Sequence, residues 1–351
     1  MAKRRLAIIG LGMAVTPHAK SLLDLADRVE VAAAFSPSEK RRADFAARFT
    51  FPLSDGIEKI LVDPTIDIVA ILTPPNTHLE LVRKAAAAGK HVLLEKPLEI
   101  TTTRAEELVE SCRRAGVKLA VMLQHRFRSS GVTLAALLRA GELGRIVGCS
   151  TMIRVWRPQS YYDMPGRGTR ARDGGGVLLT QAIHTIDLML SLAGPVIEVC
   201  GYAVTSRVHR METEDMVCAA VKFANGALGV IDATTAAYPG FPERIEIIGE
   251  AATAVLAGTE LRIFYHDGRI TEFQPDGSAG GTGADPMAFP HNYHRALIAD
   301  FLDALYEDRE PAVSGAEALK VHRLIDALIE AGTLQRPVTV RMAHSAVHLS
   351  R

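Results

Sequence analysis

The first third of the chain alternates short, continuously apolar runs with segments of helical period. Such runs are typical of strands that are buried on both faces of a parallel sheet. We predict strands at residues 6–10, 29–35, 68–72, 91–94 and 119–123, with helices at 19–25, 38–49, 79–88 and 104–115. Right-handed crossovers between these strands would give a doubly wound α/β sheet, which we assign to residues 1–124.

After residue 125, apolar and polar positions alternate, as in strands with one buried face. Residues 217–223 and 227–234 flank the turn Ala224-Asn225-Gly226, whose Asn-Gly pair favours a hairpin. Further strands are predicted at residues 146–154, 196–204, 244–249, 252–257, 261–266 and 270–274, and late helices at 294–306 and 316–331. We predict an α+β domain over residues 125–341 with a large open, mostly antiparallel sheet. A glycine-rich surface loop at 277–285 and a loosely held tail at 342–351 complete the prediction.

Composition narrows the class of protein. The 351 residues suit two domains, and 40 basic side chains balance 40 acidic ones. This balance argues against binding to nucleic-acid phosphates or to an anionic membrane surface. No apolar run approaches the ~20 residues of a membrane span. The four cysteines lie far apart without metal-ligand spacing, so we expect reduced thiols in a cytoplasmic protein.

A glycine pair lies where the first predicted strand meets a helix. Gly10 would make the tight turn, and Gly12 would let the backbone approach a pyrophosphate at the helix N-terminus. The third position of this fingerprint is Val15 instead of glycine. The pattern favours a dinucleotide site, and a plain strand–helix turn is the alternative.

The end of the second strand bears on which dinucleotide binds. An acidic residue there would bind the ribose 2′-hydroxyl of NAD, but this chain has Ser36. The cationic residues 40–42, with Arg41 at their centre, suit the 2′-phosphate of NADP, and the alternative is a solvated helix face. We therefore favour NADP over NAD.

Three later segments carry candidate chemistry. Two of them lie at predicted strand ends, where open α/β sheets bind ligands: Thr73-Pro74-Pro75-Asn76-Thr77-His78 and Glu95-Lys96-Pro97. The third is the glycine-rich run at 174–187, in which Thr180 and His184 are four residues apart on a predicted helix. Lys96 could donate to a substrate oxygen while Glu95 fixes its position, and Asp187 could neighbour His184.

Together these segments resemble the glucose–fructose oxidoreductase/inositol dehydrogenase (Gfo/Idh/MocA) family of nicotinamide-dependent oxidoreductases. The resemblance also rests on Arg126-Phe127, Asn225-Gly226 and the segment from His294 to Phe301, and it extends from Gly10 to about Val340. It implies a Rossmann domain followed by a substrate domain, and a homodimer or homotetramer.

The resemblance implies a role for each matching residue. Lys96 and His184 would be the catalytic pair, with His184 as the acid/base. Thr180 stands where the family often has Asp or Asn, so it would orient a substrate hydroxyl at most. The implied cofactor-binding residues are Gly10, Gly12, Met13, Ser36, Arg41, Thr73, Pro74, Asn76, His78, Glu95, Lys96 and Gln124.

The segment from Trp156 to Thr169 is rich in groups that stack on sugars or bind anions. Arg157 and Tyr161 are therefore expected to contact the substrate, together with Lys96, Thr180 and His184. Packing of these aromatics at the seam between the domains is the alternative.

The expected reaction is hydride transfer between nicotinamide and a secondary alcohol or ketone of a carbohydrate-like substrate. A non-catalytic dinucleotide-binding sensor and a glycosidase that uses transient oxidation are the alternatives. We expect no metal site, because the pair His291 and His294 has no Cys or carboxylate partner nearby in the sequence. His294 is interpreted as a structural or pocket residue at a helix start.

Overall fold

The first part of the chain forms a five-stranded parallel sheet. The computed structural model describes residues 3–273 and 290–341. The strands are β1 Arg4–Ile9, β2 Val29–Phe35, β3 Ile68–Ile71, β4 His91–Leu94 and β5 Leu119–Val121. The helices are α1 Val15–Asp24, α2 Glu39–Ala46, α3 Ile57–Val62, α4 His78–Ala87 and α5 Thr102–Ala115. The strand order β2-β1-β3-β4-β5 is that of a doubly wound fold, as predicted.

Local sequence explains where these elements lie. Leu6, Ala7, Ile8 and Ile9 are at most 3% exposed, because helices cover both faces of the sheet. Helix α5 begins after Thr101, whose hydroxyl accepts a hydrogen bond from the Arg104 N–H. The helix ends at Gly116, which has a φ of 67°.

The second sheet has nine strands. They are β6 Ile146–Arg154, β7 Val196–Val204, β8 Met216–Phe223, β9 Leu228–Thr234, β10 Arg244–Gly249, β11 Ala252–Ala257, β12 Glu260–Tyr265, β13 Ile270–Phe273 and β14 Val338–Thr339. Its helices are α6 Ser129–Arg139, α7 Gln159–Tyr162, α8 Ile183–Ala193, α9 Asn292–Tyr306 and α10 Gly315–Leu334. The pair β6–β9 is parallel and the other pairs are antiparallel, which confirms the predicted sheet. The predicted loop at 277–285 and tail at 342–351 lie outside the described residues.

The predicted hairpin exists, and its turn is the predicted three-residue segment Ala224-Asn225-Gly226. The Phe223 N–H donates to the Ala227 carbonyl at 2.9 Å and closes the turn. Gly226 has a φ of 90°, whereas Asn225 keeps a negative φ. The Asn225 side chain accepts from the Ala227 N–H and donates to the Ala193 carbonyl at the end of α8. These two bonds hold the turn against α8.

The last two helices return to the first sheet. Helix α9 packs on α1, and α10 packs on α5 as well as on β7. The Val121 N–H of β5 donates to the Val313 carbonyl just before α10, at 2.9 Å. The end of the chain therefore covers part of the first domain. No helix within the described ranges combines the length and apolar character that crossing a bilayer requires.

Candidate active site

A cavity of about 310 Å³ lies at the carboxyl ends of the parallel strands. Open α/β sheets bind ligands at this edge, and the order of this sheet switches between β1 and β3. The second part of the chain supplies the remaining wall. The predicted site residues that line the cavity are Met13, Thr73, Glu95, Lys96, Gln124, Arg157, Tyr161, Thr180 and His184.

The glycine turn after β1 leaves room for a dinucleotide to come close to the backbone. Gly10 has a φ of 108°, and a Cβ there would lie 2.7 Å from the Leu72 carbonyl carbon. A Cβ on Gly12 would meet only the Arg41 guanidinium, 4.0 Å away. The Arg41 side chain thus reaches the glycine turn. Arg42, by contrast, donates to the carbonyl of the buried Ser36 at 2.6 Å.

The loop after β3 is held by side-chain hydrogen bonds. The hydroxyls of Thr73 and Thr77 are 2.7 Å apart. His78 is fully buried, and its ring nitrogens lie 2.9 Å from the Thr73 carbonyl and 3.0 Å from the Pro97 carbonyl. His78 therefore connects this loop to the Glu95-Lys96-Pro97 segment and is not part of the cavity wall. Asn76 is exposed and donates to the Ala171 carbonyl at 3.4 Å, and Pro74 precedes a short 3₁₀ turn.

Lys96 connects the two parts of the cavity. Its Nζ donates to the Thr180 carbonyl at 2.7 Å. Burial lowers the pKa of the Lys96 ammonium to about 8, while the nearby Glu95 carboxylate opposes this shift. Glu95 was expected to fix the lysine side chain, but it accepts from the Lys96 backbone N–H at 3.1 Å. Its other oxygen is 2.6 Å from His18 Nε2.

His184 lies at the start of α8 against the cavity. Its Nδ1 is buried and has no hydrogen-bond partner among the described residues. Burial lowers the pKa of His184 well below its usual value, and the positive charges of Lys96 and Arg128 add to this effect. The imidazole is therefore neutral around pH 7 and can accept a proton.

The residues expected to neighbour His184 have other partners. Thr180 lies in a π-helical turn, Leu178–Ala182, and its hydroxyl donates to the Gly176 carbonyl at 2.6 Å. Asp187 lies three residues after His184 on α8, but its carboxylate forms a two-bond ion pair with Arg126, at 2.6 and 2.7 Å. Asp187 is 0% exposed, and a buried carboxylate requires a partner of this kind.

A second cluster, not predicted from the sequence, lies beside His184 and lines the same cavity. The His125 and His184 rings stack with centroids 4.8 Å apart. Arg128 donates to His125 Nε2 at 2.6 Å, so that nitrogen is an acceptor, and Arg128 also pairs with Glu243. His125 and Arg128 follow β5, and their place at the end of a parallel strand was a usable signal. Glu243 precedes β10, and no sequence motif connects it to the others.

His294 has a carboxylate neighbour that its sequence does not indicate. Ligand atoms of His18, Glu95 and His294 lie within 4.8 Å of one another, and His294 lines the cavity. The expectation that carboxylates are absent near His294 was therefore wrong in three dimensions. One Glu95 oxygen is already hydrogen-bonded to His18. His291 lies apart from this cluster, with Nε2 2.9 Å from Asp24.

Comparison with known proteins identifies the family. The model of the oxidoreductase family with an NAD-binding Rossmann fold (GFO/IDH/MocA) matches residues 4–123, and the GFO/IDH/MocA C-terminal domain model matches residues 132–255. The chain belongs to the GFO/IDH/MocA family. The matching family is one of oxidoreductases with an NAD-binding Rossmann fold.

Family relatives span almost the whole chain. The myo-inositol 2-dehydrogenase of Thermotoga maritima is 27% identical over 328 residues, covering 89% of this chain and 91% of its own. The scyllo-inositol 2-dehydrogenase (NAD(+)) of Bacillus subtilis is 27% identical over 326 residues and 90% of each chain. The WlbA dehydrogenase of Bordetella pertussis, solved with NADH and UDP-GlcNAcA, is 27% identical with a TM-score of 0.82. That comparison covers 97% of this chain and all of the other.

The ion pair between Arg126 and Asp187 gives a testable prediction. Replacing Arg126 by Met leaves a buried carboxylate unpaired, so the free energy of unfolding should fall by about 3–5 kcal/mol. Chemical denaturation measures this. The control Arg145→Met removes an exposed ion pair with Glu250, which water screens, and should change the free energy of unfolding far less. Equal effects of the two substitutions would contradict the assigned importance of the buried pair.

Proposed function

We propose that this GFO/IDH/MocA protein transfers a hydride reversibly between a nicotinamide cofactor and a secondary alcohol carbon of a sugar- or inositol-like substrate. The observation that carries the proposal is the convergence of Lys96 and His184 on one cavity beside the glycine turn. The nicotinamide cofactor supplies the hydride chemistry when bound. The relatives named as inositol dehydrogenases support a polyol substrate for this chain.

His184 would handle the proton. Oxidation of an alcohol requires a base, and the neutral imidazole of His184 can accept the hydroxyl proton. The lowered pKa of His184, caused by burial and by Lys96 and Arg128, keeps the imidazole in the accepting form through neutral pH. In the reverse direction, the protonated imidazole would return the proton to the carbonyl oxygen.

Lys96 would bind the same substrate oxygen. The ammonium has three N–H donors, and the Thr180 carbonyl takes one of them at 2.7 Å. The remaining donors can stabilise negative charge as it develops on the oxygen. The bond to Thr180 fixes the direction of the Lys96 side chain, so this stabilisation requires little rearrangement.

The proton-transfer role predicts the effect of one substitution. His184→Ala should reduce kcat by about 10²–10⁴, the usual contribution of a general acid–base group. Steady-state reduction of NAD(P) by a panel of sugars and inositols measures it. His266 is exposed and lies outside the cavity, so His266→Ala is the control and should retain full activity. A fully active His184→Ala enzyme would refute the role.

The same assay distinguishes the other candidate functions. Cofactor binding without turnover on any substrate would favour a dinucleotide-binding sensor. Release of an aglycone from glycosides without net reduction of the cofactor would favour the glycosidase. The presence of both Lys96 and His184 argues for the oxidoreductase, because a sensor needs no proton-transfer group.

We infer that NADP is preferred over NAD. The Arg41 guanidinium lies next to the glycine turn, and no carboxylate stands at the Ser36 position to bind a ribose 2′-hydroxyl. A guanidinium binds phosphate through charge-assisted hydrogen bonds. The Bordetella relative was solved with NADH, so a preference for NADP would distinguish this chain from it.

Arg41→Met should weaken NADPH binding by about 10- to 100-fold and leave NADH binding nearly unchanged. Quenching of protein fluorescence or isothermal calorimetry gives both dissociation constants. Lys40→Met is the matched control on the same helix and should change neither. A wild-type protein that binds NADH more tightly than NADPH would overturn the assignment.

We also infer that the open sheet face packs against a second copy of the chain. Tyr202, Leu228 and Val230 on β7 and β9 are 63%, 63% and 47% exposed, which leaves apolar surface in contact with water. A homodimer or homotetramer would bury it. Leu228→Glu should therefore shift the mass measured by light scattering toward the monomer. The control Val62→Glu changes an exposed apolar residue on α3 and should leave the mass unchanged.

A further inference from the structure

Two guanidinium groups lie beside the ring of Tyr161 in the cavity. Arg167 Cζ is 4.8 Å from the ring centroid, and Arg157 Cζ is 5.9 Å from it. All three side chains line the cavity, and Arg157 is only 4% exposed. Contact with an aromatic face orients a guanidinium without using the N–H donors on its edge.

Arg167 differs from the other arginines of its loop. Arg170 lies near Glu212, and Arg172 lies near Asp173. Arg167 forms no ion pair with any described carboxylate, and its buried Nε has no hydrogen-bond partner in the same part of the chain. A guanidinium stays charged at every physiological pH, and burying its Nε–H without an acceptor is costly. A ligand with acceptor oxygens would remove this cost.

The backbone on both sides of Arg167 is fixed. The Gly168 N–H donates to Asp173 at 2.9 Å, and the Gly168 carbonyl accepts from the Thr213 hydroxyl at 3.1 Å. The Gly166 carbonyl accepts from the Thr169 hydroxyl at 2.7 Å. The loop therefore presents Arg167 to the cavity in a preorganised position, which lowers the entropic cost of binding a ligand there.

The acidic residues of the cavity are engaged elsewhere. Glu95 is hydrogen-bonded to His18, and Glu243 pairs with Arg128. Asp173 accepts from the Gly168 backbone. None of these three carboxylates forms an ion pair with Arg167, so the charge of Arg167 remains available to an anion.

We propose that the substrate carries an anionic group, a carboxylate or a phosphate, and that Arg167 and Arg157 bind this group beside Tyr161. The inference deepens the proposed dehydrogenase function and rests on it. Arg167 and Arg157 would then determine specificity, because they favour an acidic sugar over its neutral counterpart.

The anion would also act on Lys96. Burial lowers the pKa of Lys96 to about 8, and the charges of Arg167 and Arg157 contribute to the lowering, opposed by Glu95 and Asp173. An anion between the guanidiniums offsets their charge and raises the pKa of the ammonium. Since Lys96 acts as the ammonium, activity falls as pH rises through its pKa. The kcat profile reports the substrate complex, and the kcat/KM profile reports the free enzyme. The pKa of the high-pH limb should therefore be higher in the kcat profile than in the kcat/KM profile.

The experiment uses the whole protein and matched substrates: a hexose, the corresponding hexuronate and the corresponding hexose 6-phosphate. We expect the kcat/KM of one anionic member to exceed that of the hexose by at least about tenfold. Arg167→Met should reduce this preference by about 10- to 100-fold, and Arg167→Lys should retain part of it. Arg170→Met is an exposed control in the same loop and should leave the preference for the anionic substrate unchanged. The uronate and phosphate arms identify which anion is bound.

Separate outcomes test the inference and the proposed function. Equal turnover of the neutral and anionic members overturns the anion site but leaves the dehydrogenase function intact. If Arg167→Met instead weakens NADPH and NADH binding without substrate, Arg167 serves the cofactor phosphates and the inference fails. If no member turns over but calorimetry shows uronate or phosphate binding that Arg167→Met abolishes, the anion site stands and the redox function fails. Absence of both binding and turnover overturns both.

Discussion

The buried ion pair between Arg126 and Asp187 holds together the two parts of the candidate site. Asp187 lies on α8, the helix that carries His184, and Arg126 lies in the short segment Gln124–Phe127 that follows the first sheet. Arg126 also reaches Glu317 on α10 at 3.3 Å. Because a buried charge is tolerated only with its partner, the position of α8 relative to the parallel strands is strongly constrained. The distance between Lys96 and His184 depends on this constraint.

The positive charge in the cavity has two effects: it opposes protonation of His184, and it can stabilise negative charge on a substrate oxygen. Burial disfavours protonation of His184, and the charges of Lys96 and Arg128 add to this effect, so the site holds a neutral base next to a cation. A neutral imidazole beside an ammonium is suited to removing a proton from an oxygen while stabilising the charge left behind. Glu95 pairs with His18, and Glu243 pairs with Arg128. These two carboxylates therefore offset only part of the positive charge around His184.

Much of the fold could be predicted from sequence, because its signals are local. Continuous apolar runs such as Leu6–Ile9 and the Asn225-Gly226 turn reflect burial and backbone preference within a few residues. Lys96 and His184 could be singled out because they stand in recognisable segments. The partners of Glu95 and Asp187 could not, since His18 and Arg126 are brought to them by long-range packing over 77 and 61 residues. Arg167 lies in the segment from Trp156 to Thr169 that was predicted to contain sugar- and anion-binding groups, but the sequence does not show that it packs beside the ring of Tyr161.

The packing of α9 and α10 against the first domain affects the order in which the protein can fold during its synthesis. The ribosome synthesises β1 to β5 first, but the surfaces of α1 and α5 that α9 and α10 cover stay open until residue 334 has been added. The strand β5 likewise waits for Val313 to accept its hydrogen bond. Contacts between such distant segments slow folding, because a long loop must close before they form. The parallel-sheet domain is thus completed only after α9 and α10 have been synthesised.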